Sequence, residues 1–205
     1  MSTSQIPAAL TPPQMLSHLA YVTHDAEATV DFYTRVMGME FVLAVMDDQV
    51  PSTGEPFPYF HIFFRMGDGS TLAFFEAPGL PPRPKPSHPA YETFDHLALQ
   101  VDSPAEVDAW YQRLTALGLD VLGPVDHKII YSVYFRDPVN DLRLEITTPL
   151  TPNWNDQGAS AELALRDWAE AKSRARENDQ NEVDELLRVI SVRQHDARRQ
   201  TEAID

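Results

Sequence analysis

The hydrophobic positions of this 205-residue chain fall into two runs that repeat one order of patterns. Residues 16–23 and 94–102 alternate apolar and polar positions, as half-buried strands do. Each is followed by a stretch with the 3.6-residue apolar period of a helix, and then by three further strand-like stretches. The pattern predicts two βαβββ modules, at residues 15–78 and 93–150.

Residues that favour helix ends support these boundaries. Asp25 is a candidate N-cap for the first helix, which should stop at Gly38 because glycine readily adopts the left-handed conformation that ends helices. Ser103 and Pro104 open the second helix as its cap and first-turn proline, and Gly118 ends it.

The segments outside the modules differ in composition. Residues 1–14 predict a flexible arm, and residues 79–92 predict an extended, proline-rich connector. Residues 151–205 are rich in charged residues and alanine, and they predict two helices at roughly 159–177 and 181–199. These helices either pack against the domain or a dimer partner, or cover the site as a lid.

Charge and cysteine content narrow the function classes. Sixteen basic against 31 acidic residues give a formal net charge of -15, which disfavours nucleic acid and anionic membranes as partners. Without cysteine, any metal must be held by nitrogen and oxygen ligands. The chain shows no signal-peptide pattern and no long apolar window, so it is expected to be soluble and cytoplasmic.

The predicted fold class is α+β: two βαβββ modules forming a curved, partly open mixed β-barrel around a metal site, followed by a C-terminal helical extension. His18 and His96 stand at the same place in the two first strands, and Glu76 and Glu145 are expected to take matching positions in the two last strands. A lone strand histidine is more often a packed residue than a ligand, but duplication favours a site. We expect His18, His96 and Glu145 to hold a divalent metal.

Residues 94–118 and 129–147 resemble the vicinal oxygen chelate superfamily, which includes glyoxalase I, bleomycin and fosfomycin resistance proteins, and type I extradiol dioxygenases. The resemblance covers about residues 15–150 and implies the two-module fold. It also implies a divalent metal cofactor, Fe(II) in the ring-cleaving members, with Mn, Ni or Zn as alternatives.

The extradiol enzymes provide the closest local pattern. His127, Tyr134, Asp137, Pro138 and Glu145 follow the order of their signature with nearly its spacing. The resemblance implies that His127 is a hydrogen-bond or proton-transfer partner, and that Tyr134 donates to the substrate oxygen nearest the metal. The alternatives are a solvent-exposed loop histidine and a tyrosine that only packs.

Two departures from that family leave the reaction open. Ser70 stands where ring-cleaving enzymes often carry an acid-base histidine; His61 either replaces it or packs among phenylalanines. Glu76 stands where glyoxalase I places a fourth ligand, which would favour nickel or zinc and an isomerase. Its alternative is a strand-end carboxylate that meets solvent or Arg65.

The resemblance thus implies an Fe(II)-dependent extradiol-type dioxygenase that cleaves a catechol-like substrate with O2. The alternatives are a glyoxalase-like, metal-dependent lyase or isomerase, and a metal-free small-molecule binding or resistance protein. The expected partners are a small aromatic or chelating substrate, O2, and a second copy of the chain, since homodimers are common in the superfamily.

Overall fold

The computed structural model describes the backbone of residues 11–202, so most of the predicted arm, residues 1–10, lies outside the described residues. A boundary between Leu150 and Thr151 separates two compact units. The elements are, in chain order, β1 (His18–Thr23), α1 (Ala26–Asp31), a π-helical turn (Phe32–Val36), β2 (Glu40–Gln49), β3 (Pro56–Arg65), β4 (Thr71–Glu76), α2 (Pro89–Phe94), β5 (Leu97–Gln100), α3 (Pro104–Ala116), β6 (Leu122–Asp126), β7 (Ile130–Arg136), β8 (Arg143–Pro149), α4 (Gly158–Glu177) and α5 (Glu182–Glu202).

Each module folds into a four-stranded mixed sheet. The strand orders are β1-β4-β3-β2 and β5-β8-β7-β6, in which β1 pairs with β4, and β5 with β8, in parallel, and the other pairs are antiparallel. The α+β class with two βαβββ modules and C-terminal helices is confirmed. In the part of the chain that the structure describes, the two sheets remain separate and no barrel closes.

The predicted helix caps are formed by side-chain hydrogen bonds. The Asp25 carboxylate accepts a hydrogen bond from the Ala28 N–H at 2.9 Å, and the Ser103 hydroxyl accepts one from the Glu106 N–H at 3.3 Å. The connector is less extended than expected: Pro89 starts the short helix α2, because proline needs no hydrogen-bond acceptor for its nitrogen at a first helical turn.

The two modules bury their helix-covered sheet faces in one common core. Tyr33, just after α1, lies 5.2 Å from Phe64 and 5.0 Å from Phe74, measured between ring centroids. The second module contributes residues such as Val133 and Leu144 to the same cluster. Each sheet therefore turns its other face away from this core.

A buried hydrogen bond joins the modules. The Tyr33 hydroxyl donates to Asp137 Oδ2 at 3.0 Å, and both residues are fully buried. Asp137 also accepts hydrogen bonds from the Val139 N–H at 2.7 Å and from the Asn140 side chain at 2.8 Å. Burial and the Asp137 charge raise the pKa of Tyr33, so its phenol keeps the proton that it donates.

Replacing Tyr33 with phenylalanine tests the contribution of this bond to stability. Tyr33→Phe removes one donor from a buried carboxylate, so we expect the free energy of unfolding to fall by about 1–3 kcal/mol. Urea denaturation at pH 7 measures the change. Tyr91→Phe at an exposed tyrosine is the matched control and should leave stability unchanged; equal effects of the two substitutions would contradict the assignment.

The C-terminal unit is a pair of helices, as predicted. α4 and α5 meet through small and charged side chains: Ala171 and Ala175 are buried, and Arg193 forms an ion pair with Asp167 at 2.5 Å. Whether these helices form a lid or a dimer contact stays a prediction. None of the helices described is long and apolar enough to cross a membrane.

Candidate metal centre

His96 and Glu145 meet on the open face of the second sheet. Glu145 lies opposite Ala98 on the paired strand β5, and His96 precedes that strand by one residue. The His96 Nε2 lies 2.8 Å from Glu145 Oε2, and the side chain of Glu145 is only 2% exposed. His96 Nδ1 lies 2.9 Å from the carbonyl oxygen of Phe94.

The hydrogen bond to Phe94 determines which nitrogen of the His96 ring carries a proton. A carbonyl oxygen can only accept, so Nδ1 carries a proton and donates it. In a neutral ring, the Nε2 lone pair then points at the Glu145 carboxylate, which is favourable only with a proton or a metal cation between them. Metal-binding histidines commonly donate their second nitrogen to a backbone carbonyl in this way. The donor set therefore fits a divalent metal.

Tyr134 and His127 extend this pair into a chain of hydrogen bonds. The Tyr134 hydroxyl donates to Glu145 Oε1 at 3.1 Å, and His127 Nε2 lies 2.9 Å from the same hydroxyl. Because the phenol has one proton, His127 Nε2 must donate to its oxygen when Tyr134 donates to Glu145. Burial raises the pKa of Tyr134, and the Glu145 charge adds to this, which keeps the phenol protonated near neutral pH.

His18 occupies the corresponding place in the first sheet. Its ring meets Phe63 edge-on at 5.9 Å between centroids, as the His96 ring meets Tyr134 at 5.8 Å. The structure thus reproduces the duplication of the histidines and their aromatic neighbours. In the second module the neighbour carries a hydroxyl, and in the first it does not.

Within a single chain, four of the five candidate site residues lie close together. His96, Glu145, Tyr134 and His127 form the hydrogen-bonded chain, whereas His18 lies apart from them, next to His61 and Phe63. Among the residues described, no three histidine or acidic side chains gather closely enough to bind one metal ion.

Glu76 is not the counterpart of Glu145, and the expectation that the two match was wrong. Ala20, two residues after His18, pairs with Ala73 in β4, and Ala98, two residues after His96, pairs with Glu145 in β8. Ala73 therefore holds the position equivalent to Glu145. Glu76 lies three residues further, which turns its side chain to the opposite face of the sheet. There its Oε2 accepts a hydrogen bond from the Ala26 N–H at 2.7 Å.

His61 packs among aromatic rings. It stacks on Phe75 at 3.5 Å and lies 4.0 Å from Phe63, measured between ring centroids, and its buried Nε2 has no hydrogen-bond partner. Burial lowers the pKa of His61 to about 4, with a further contribution from His18. Ser70 is buried in the β3–β4 turn, where its hydroxyl donates to Asp68 at 2.6 Å.

The depressed pKa of His61 predicts a pH-dependent stability. The folded state binds the proton less readily than the unfolded state, whose histidine pKa is about 6.5, so the stabilising effect is present above that pH and is lost as the pH falls towards about 4. In metal-free protein, wild type should lose more unfolding free energy over this range than His61→Phe, which keeps an aromatic ring. Parallel pH profiles of the two proteins in urea titrations would contradict the prediction.

Two arginines of this face were missed by the sequence reasoning. Arg143 lies two residues before Glu145, on the same side of β8, and its guanidinium lies 4.8 Å from the centroid of the Tyr134 ring. Arg136 is its direct partner on β7. The two-residue period around Glu145 was the signal that would have drawn attention to Arg143.

Residues 15–146 match the family model described as the Glyoxalase/Bleomycin resistance protein/Dioxygenase superfamily. The chain belongs to this superfamily. The resemblance that the two modules and their histidines indicated is therefore confirmed.

One relative whose name states an activity matches part of the chain. A Bacillus subtilis (strain 168) protein named "Putative ring-cleaving dioxygenase MhqA" is 26% identical over 129 residues, which cover 55% of this chain and 37% of that protein. The match thus spans little more than a third of that relative's length.

Solved structures of the superfamily share the two-module fold. A glyoxalase/dioxygenase from Nostoc punctiforme is 27% identical, with a TM-score of 0.50, and the match covers 71% of this chain and 99% of that one. A glyoxylase/bleomycin resistance protein/dioxygenase domain from Frankia sp. EAN1pec is 18% identical, with a TM-score of 0.54, over 67% of this chain and 98% of that one. At 18% identity the second likeness shows the fold alone.

Proposed function

We propose that this protein is an Fe(II)-dependent, extradiol-type dioxygenase that cleaves a catechol-like substrate with O2. The observation that carries the proposal is the hydrogen-bonded chain from His127 through Tyr134 to Glu145 and His96. It provides a protonated phenol beside two candidate metal ligands. Two comparisons support the proposal: the superfamily description includes dioxygenases, and the Bacillus subtilis relative is named a putative ring-cleaving dioxygenase.

In this proposal His18, His96 and Glu145 hold the metal. Two imidazole nitrogens and one carboxylate suit iron(II) and leave coordination positions open for substrate and O2. When bound, the metal would supply a Lewis acid and a path for electrons between substrate and O2. Because Glu76 faces the helix side of its sheet, the observation that would have favoured a fourth ligand and an isomerase is removed.

Tyr134 and His127 serve to orient the substrate and hold a proton. The raised pKa of Tyr134 keeps it a donor near neutral pH, so its hydroxyl binds the substrate oxygen closest to Glu145. His127 is more exposed and can exchange a proton with solvent and pass one to the Tyr134 oxygen. Phe63, Phe75 and His61 form an aromatic wall on the face that carries His18.

The centre is completed, in this proposal, by a second copy of the chain. The first sheet offers a histidine on a largely apolar face, on which Leu43 is 51% exposed and Val45 is 37% exposed. The second sheet offers His96 and Glu145. In a two-fold dimer, the first module of each copy meets the second module of the other, which creates two equivalent centres.

Mixing two inactive variants tests the shared centre. His18→Ala and Glu145→Ala should each lose bound metal and activity. When the two are co-expressed, about half of the dimers are mixed and each holds one intact centre, so about a quarter of the wild-type metal and activity should return.

A mixture of His96→Ala and Glu145→Ala is the matched control, since every mixed dimer then lacks a ligand in both second modules. No recovery in the first mixture, with two different affinity tags showing that mixed dimers form, would overturn the shared centre. Full metal binding by a monomer would also overturn it.

Substituting Tyr134 tests the reaction itself. Iron-loaded wild type should consume O2 with catechols and form a yellow ring-opened product, and Tyr134→Phe should lower kcat about 10²- to 10⁴-fold while iron content stays unchanged. Oxygen consumption and product absorbance measure this. Tyr131→Phe, on the same strand but bonded to Asp108, is the control and should retain activity.

Full iron occupancy without oxygen consumption across a broad catechol panel would refute ring cleavage. Turnover of a hydroxycarbonyl adduct under anaerobic conditions with nickel or zinc would instead identify a glyoxalase-like enzyme.

A further inference from the structure

A basic cleft adjoins the candidate metal centre. It has a volume of about 1060 Å³ and lies between both modules and the proline-rich connector, with His96 in its wall. Residues 1–150 contain eight lysines and arginines against 19 acidic residues, yet four of the eight line this cleft, against three acids. The four are Arg83, Lys85, Arg136 and Arg143.

Two of these arginines face each other directly. Arg136 on β7 pairs with Arg143 on β8, and like charges in direct opposition across a sheet are destabilising. Arg136 has a carboxylate partner, Asp141, at 3.3 Å. Both guanidinium groups also reach the carbonyl oxygen of Glu92, each at a long 3.4 Å.

Arg143 remains incompletely satisfied. Its Nε is buried and has no hydrogen-bond partner, and among the described residues no carboxylate lies within ion-pair distance of its guanidinium. An unpaired buried donor on a charged group is unfavourable unless a ligand meets it. A carboxylate suits this position, because a guanidinium offers two parallel N–H groups that match its two oxygens.

We propose that Arg143, assisted by Arg136, forms a subsite for the carboxylate of an acidic aromatic substrate. This inference rests on the proposed function, since it places the substrate's vicinal oxygens at His96 and Glu145. Side chains two residues apart on a strand lie on one face about 7 Å apart, which separates Arg143 from Glu145 by roughly the span of one substituted benzene ring. The substrate class is therefore a carboxylated catechol, such as a dihydroxybenzoate.

Locally, the positive cleft offsets the field of an acidic protein. With a net charge of -15 the chain as a whole repels an anionic substrate. A concentration of arginine and lysine in one cleft reverses that repulsion at the place where the substrate enters. Arg83, in the proline-rich connector, contributes one of these positive charges, and its guanidinium lies 5.5 Å from the centroid of the Tyr21 ring.

Kinetics with matched substrates test the subsite. For wild type, kcat/KM should be higher for 2,3- or 3,4-dihydroxybenzoate than for catechol. Arg143→Gln should lower the ratio of kcat/KM for the better dihydroxybenzoate to kcat/KM for catechol about 10- to 100-fold, mainly through the KM of the dihydroxybenzoate. Arg143→Lys keeps the positive charge but loses the two parallel N–H groups, so its value should lie between those of wild type and Arg143→Gln. Arg35→Gln, at an exposed arginine in the π-helical turn after α1, is the control for loss of one charge.

Binding of benzoate to metal-free protein gives a readout that does not require turnover. Calorimetry should detect benzoate binding to wild type and to Arg35→Gln but not to Arg143→Gln, with circular dichroism showing that all three are folded. Arg143-dependent benzoate binding without turnover of any catechol would refute ring cleavage and leave the subsite standing. Two outcomes would overturn the subsite and leave ring cleavage standing. In the first, catechols are turned over but Arg143→Gln lowers kcat/KM equally for both substrates. In the second, Arg143→Gln leaves benzoate binding unchanged.

Discussion

The carboxylate of Glu145 is the constraint around which the candidate site is organised. A negative charge that is 98% buried is costly unless donors and a cation surround it. Tyr134 supplies one hydrogen bond and His96 faces the other oxygen with the nitrogen that its bond to Phe94 leaves free to bind a proton or metal. The same negative charge contributes to the raised pKa of Tyr134, so a single buried group both requires a cation and keeps its neighbour protonated.

The two modules are duplicates in fold, but they carry different side chains at the positions equivalent to Glu145 and Tyr134. The sheets share strand order and the contact between a histidine and an aromatic ring, but Ala73 and Phe63 stand where the second module has Glu145 and Tyr134. The first module therefore offers one candidate nitrogen ligand within an apolar wall, and the second offers a hydrogen-bonded pair of candidate ligands. We infer that the two faces are complementary halves of one centre rather than two weak copies of it.

Much of the fold could be predicted because it depends on local periodicity. The alternation in residues 16–23 and 94–102 appears in the structure as two shorter strands, β1 and β5, because Phe94 ends the helix α2; the caps at Asp25 and Ser103 form as predicted. The role of Glu76 could not be predicted, because the nearly unbroken apolar run before it gives no alternation from which to read its face. Strand pairing decides that face, and pairing is a long-range property. Arg143 was missed for a related reason: its neighbours across the sheet, rather than its own segment, leave it unsatisfied.

The common core accounts for the separation of His18 from the other candidate ligands in one chain. Both modules bury their helix-covered faces together, and the buried bond between Tyr33 and Asp137 fixes that arrangement. The faces that carry His18 and His96 therefore point away from the shared core. Turning them towards each other within one chain would break the core and leave a buried aspartate without its partner, at a large free-energy cost. A centre shared between two copies, as proposed above, would bring the faces together and keep each core intact.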